Sequence, residues 1–85
     1  MQREPLSPEF DALWRRLWKE WQNNNEEDIV LDLSKLEEIE ADIPALKGRL
    51  RTALAYLQRA HYIQYRSGVG ESGIEPILYD VYEPR

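Results

Sequence analysis

At 85 residues the chain has room for one small domain, which buries about 60–65% of the surface that its unfolded form exposes. Hydrophobic residues make up 42% of it, nine of them aromatic, which supports a core; the absence of cysteine excludes disulfide scaffolds, thiolate metal sites and cysteine nucleophiles. The single histidine, His61, excludes any site built on two imidazoles, and the net charge of -5 speaks against nucleic acid when taken as an average.

Ser7-Pro8-Glu9 reads as a helix start, with Ser7 able to cap, Pro8 at the first helical position and Glu9 at the positive end of the dipole. Phe10, Leu13, Trp14, Leu17, Trp18 and Trp21 then fill an arc of about 140°, which predicts an amphipathic helix over residues 8–22. Its polar side carries Asp11, Arg15, Arg16, Lys19 and Glu20. Asn23-Asn24-Asn25 closes it, since Asn tolerates the left-handed conformation at a helix end. Three Trp in eight positions crowd a small core, so Trp18, at the edge of the arc, is expected to meet a partner or a second copy in a homodimer, while Trp14 and Trp21 stay internal.

Ile29-Val30-Leu31 is too short for a helix and reads as a strand over 29–31. Ser34 and Glu37 have capping-box spacing and open a short helix over 35–41, with Leu36 and Ile39 inward and Glu37, Glu38 and Glu40 outward. Pro44 turns the chain and starts a third helix, predicted over 44–59. Leu46, Leu50, Ala53, Leu54 and Leu57 line its core face. The opposite face holds Gly48, Arg51, Thr52, Ala55 and Arg59, where small residues between arginines would admit a close approach. Two strands follow, over 62–66 and 74–82, separated by a Gly-rich connector, Ser67 to Gly73. Alternation puts Ile77, Tyr79 and Val81 on one face of the last strand and Leu78 and Tyr82 on the other, with Pro76 placing its start at an edge or bulge.

Charge is unevenly distributed along these elements. Pro44 to Gly70 contains Lys47, Arg49, Arg51, Arg59 and Arg66 and no acid, whereas Glu26 to Asp42 contains eight acids and one lysine. Such asymmetry suggests two unlike faces, one of which meets a polyanion.

Other chemistry finds no support. The acidic pairs Glu26-Glu27-Asp28 and Glu37-Glu38 lack the spacing and turn glycine of a calcium loop, so no metal or cofactor is expected. Gly68, Gly70 and Gly73 spell a dinucleotide fingerprint, but they join two strands where that motif joins a strand to a helix. No serine has a positioned base, and an enzyme is not expected. The longest aliphatic run is Ile29-Val30-Leu31 and Met1 to Pro5 has no apolar stretch, so the expectation is a cytoplasmic single domain over 1–85 with no membrane association.

The order helix, short strand, helix, turn, helix, hairpin resembles the winged helix-turn-helix superfamily over residues 7–82, an α+β fold. The stretch Leu50-Arg51-Thr52-Ala53-Leu54-Ala55-Tyr56-Leu57-Gln58-Arg59-Ala60-His61-Tyr62-Ile63 is similar to the join between the third helix and the first wing strand, with His61 where Gly is frequent. The resemblance implies that the third helix enters the major groove of DNA and that the wing touches the backbone. Arg51, Thr52, Ala55 and Arg59 then face the groove, Lys47 and Arg49 flank it near phosphates, Gln58 is placed to read an adenine edge, and Arg66 begins the wing. Binding would be modest and salt-sensitive, as in a small regulator or an accessory domain of a larger DNA-processing protein, because the wing carries Glu71 and the second helix carries Glu37, Glu38 and Glu40. A winged helix that docks a protein partner is the alternative, suited by the acidic second helix and the acid-poor aromatic strands.

Overall fold

Five adjacent heptad-like steps of apolar residues drive the first element, and the computed structural model, which describes residues 5–70 and 73–84, forms it as α1, Pro8–Asn23. Ser7 adopts the extended N-cap conformation, but its hydroxyl caps nothing; it is buried without a hydrogen-bond partner among the described residues. At the other end Asn25 and Glu26 are left-handed (φ 58° and 57°), as the asparagine run predicts for Asn25. Leu13 and Leu17 are fully buried, and Trp14 and Trp21 nearly so. The Trp14 indole N–H donates to the Tyr82 carbonyl at 2.8 Å, fixing α1 to the C-terminal end of the sheet.

The strand β1 is Ile29–Val30, one residue shorter than expected. The reason lies in its partner. Ile29 faces Leu78 and Val30 faces Ile77, so Leu31 comes opposite Pro76. Leu31 N–H still donates to the Pro76 carbonyl at 2.8 Å, but proline has no N–H to return, and the ladder stops. Leu31, fully buried, pins the chain there, and the next helix starts at once. α2 spans Leu33–Asp42, and its cap is Asp32, whose carboxylate accepts from Lys35 N–H at 2.8 Å. The expected Ser34–Glu37 capping box does not form, because Ser34 already lies inside the helix.

The predicted third helix is divided. Pro44–Leu46 forms one 3-10 turn, Gly48 takes a left-handed conformation (φ 77°), and α3 proper is Leu50–Arg59. Glu40 reaches from α2 to accept the Gly48 N–H at 2.8 Å, holding the break. Leu46 and Leu50 both remain buried across it, so the division costs the core nothing, but Gly48 leaves the α3 surface. At the C-terminus of α3, His61 is left-handed (φ 68°), as its position at the join implies.

β2 (Ile63–Gly70) and β3 (Gly73–Val81) complete an antiparallel sheet of order β1-β3-β2. The expected connector from Ser67 onward is regular ladder up to the pair Gly70–Gly73; Glu71 and Ser72 lie outside the described residues. Glycine suits this ladder for reasons of space. A Cβ on Gly68 would strike Ile77, and one on Gly70 would strike the carboxylate end of Glu75, whose side chain is buried. Pro76 sits in the central strand and not at an edge, tolerated because its nitrogen faces the end of β1.

The expected alternation in β3 fails at one point. Gln64 pairs with Asp80 and Tyr65 with Leu78, so Tyr79 is the extra residue of a β-bulge. The phase slips by one, and Leu78 and Val81 both enter the core while Tyr79 is exposed. The result is three α-helices packed on a three-stranded antiparallel sheet, an α+β arrangement compatible with the winged-helix order. None of its helices is long and apolar enough to cross a membrane, among the described residues.

Candidate nucleic-acid interface

Helical spacing decides which side of α3 is free. Leu50, Ala53, Leu54 and Leu57 are buried, and Arg51, Thr52, Ala55 and Arg59 are exposed together on the opposite side. Lys47 and Arg49 are exposed in the turn that precedes them. Gln58 is elsewhere employed: its Oε1 accepts the Tyr65 main-chain N–H at 2.6 Å, tying α3 to β2.

The charged side chains separate into two populations. On one side of the molecule Arg16 pairs with Glu20 at 3.1 Å, with Glu38 at 3.0 Å and with Asp42, while Lys35 pairs with Glu20 at 3.1 Å. Burial of the Glu20 carboxylate acts to raise its pKa, but hydrogen bonds and charge from Lys35 and Arg16 outweigh this and hold it below the ordinary value. Arg15 pairs with Asp11 at 2.9 Å, and Arg66 at the base of the hairpin pairs with Asp28 at 3.2 Å. No described carboxylate lies within 4.0 Å of the charged groups of Lys47, Arg49, Arg51 or Arg59; on α1, Lys19 shares this condition. Three of the acids on α2 are thus engaged, Glu38 by Arg16 and Lys35, Asp42 by Arg16, and Glu40 by the Gly48 amide. Glu37 faces solvent.

Beside α3 the hairpin forms a cleft of about 130 Å³ lined by Arg51, Leu54, Tyr65, Ser67, Ile74 and Pro76. The cross-strand pair Val69 and Ile74 continues the same sheet face beyond the helices, 93% and 68% exposed. The sequence signal for this cleft was the alternation of Tyr65, Ser67 and Val69 with Ile63, hidden by reading the glycines as a loop. Trp18 lies partly buried against its own domain, with its ring 6.0 Å from that of Trp21. Among the described residues no group of three or more acids and histidines is arranged to hold a metal ion.

No protein-family model, curated protein or solved structure matches this chain.

Proposed function

We propose that the chain is a winged-helix domain that binds nucleic acid, duplex DNA in the first instance, through the exposed side of α3 and the turn before it. The observation that carries this reading is the grouping of Lys47, Arg49, Arg51 and Arg59 on one acid-free stretch without intramolecular counter-charge. Exposed cations left unneutralised beside a shallow helix face of Thr52 and Ala55 suit phosphates, with the helix backbone able to approach the groove. Four such charges neutralise about three phosphates, so affinity is modest and falls steeply with salt. Arg66 and Gln58 contribute through the fold: Arg66 is held by Asp28, and Gln58 by Tyr65. A small regulator or an accessory domain of a larger DNA-processing protein fits this scale of binding.

The test is an anisotropy titration of a labelled duplex at about 50 mM and about 200 mM salt, for which a roughly 40-fold loss of affinity is expected. Absence of binding at the lower salt sinks the reading. A second reading, a winged helix that docks protein, is favoured by a different observation: the hairpin presents the apolar pair Val69 and Ile74 where a cation would serve DNA better.

A further inference from the structure

The outer edge of β2 has an order of open and closed positions that its hydrogen bonds define. In an antiparallel pair, the N–H and C=O of one residue point to the same side, and alternate residues point to opposite sides. Tyr65 N–H donates to Gln58 and therefore points away from β3. Ser67 lies opposite Pro76, whose carbonyl is turned the other way, to Leu31 N–H. Ser67 and, by alternation, Val69 thus direct their main-chain groups outward, where no main-chain partner meets them among the described residues. Gln58 closes the edge at Tyr65 and leaves it open beyond.

The cleft adjoins this open stretch. Its lining combines the apolar side chains of Leu54, Ile74 and Pro76 with Tyr65, Ser67 and the unpaired Arg51. Edge strands are commonly protected by lysine, proline or an inward charge, yet the exposed segment here is Ser67-Gly68-Val69-Gly70, neutral and without proline. We propose that this edge is a docking site for an extended acidic peptide, which adds as a strand beside β2. Its main chain pairs with Ser67 and Val69, one β-branched or aliphatic side chain enters the cleft, and a neighbouring carboxylate meets Arg51. Charge complementarity selects the occupant: Arg51 lines the cleft with no described carboxylate paired to it, so an acidic segment is favoured over a neutral or basic one. The site takes up the second reading; it shares Arg51 with the α3 face, whereas Ala55 belongs to that face alone.

The probes are short synthetic peptides in which Val and Ile alternate with Asp and Glu, against a matched set with Lys in place of the acids. Backbone-amide hydrogen exchange and chemical shifts of the whole chain are followed by NMR. The expected result is slowed exchange at Ser67 and Val69 with the acidic set alone, and about a tenfold loss of affinity in Ser67→Pro. That substitution removes an outward N–H that the β2–β3 ladder does not use, so the fold is retained. Arg51→Glu, at an exposed position, gives the same loss by a separate route and serves if Ser67→Pro does not fold. Ala55→Glu, outside the cleft, abolishes duplex binding on the first reading and leaves peptide binding intact. Equal binding of the Lys set, indifference to Ser67→Pro and Arg51→Glu, or exchange at Ser67 and Val69 unchanged by any peptide overturns the proposal. Slowing of those two amides by a DNA duplex in place of the peptides overturns it also.

Discussion

The side-chain carbonyl of Gln58 accepts a hydrogen bond from the main-chain N–H of Tyr65 at 2.6 Å, so a residue of α3 closes one position on the edge of β2. Removing the acceptor strands an amide in a half-buried site. Gln58→Ala is expected to lower stability by about 1–2 kcal/mol in urea denaturation, well above the change at an ordinary surface position. Gln58→Glu, which keeps an acceptor, should recover most of that loss. A Gln58→Ala variant as stable as the parent would show that the bond contributes nothing.

Gly48 supplies a prediction whose sign alone is informative. Inside a helix, as the sequence suggests, Gly48→Ala would stabilise by about 1 kcal/mol. With φ at 77° it must instead destabilise by about 1–2 kcal/mol, because a Cβ is unfavourable in the left-handed conformation although nothing stands within 4 Å of it. Thermal or urea unfolding of the single variant separates the two.

Most of the core was legible from the sequence, because α1 and α3 bury their apolar residues at helical spacing and need no knowledge of their neighbours. The failures have a common origin in contacts between distant segments. The β1 strand ends where it meets Pro76, and the β3 alternation slips at Tyr79 because of its pairing with β2. Gly68 and Gly70 suggest a loop by composition, whereas the structure uses their missing side chains to seat Ile77 and Glu75. Of the site residues, Arg51, Thr52, Ala55 and Arg59 share the exposed side of α3 that their spacing implies. The engagements of Gln58 and Arg66 depend on Tyr65 and Asp28 and could not be read from spacing.

The network around Glu20 makes stability depend on pH in a defined direction. The folded pKa of Glu20 is lowered below its ordinary value of 4.5, so its ionised form is favoured by folding. That contribution is complete above the ordinary value and is lost as pH falls through the lowered one. Glu20→Gln should therefore cost about 1–2 kcal/mol at neutral pH and progressively less in acid, converging on the parent. Urea midpoints of both proteins across the acid range check it, and parallel curves would contradict it.

A helix face that meets nucleic acid must lose counterion release when its own cations are removed, and must be indifferent to cations neutralised elsewhere. The most direct measurement is the slope of log affinity against log salt for duplex binding by the parent, Arg51→Ala, Arg59→Ala and Arg15→Ala. Arg15 is already paired with Asp11 on α1 and serves as the control. The predicted result is a parent slope of about -3, reduced by roughly one in Arg51→Ala and Arg59→Ala where the arginine meets phosphate, and unchanged in Arg15→Ala. Identical slopes for all four proteins, or no duplex binding by the parent at low salt, would contradict the assignment of α3 as the nucleic-acid face.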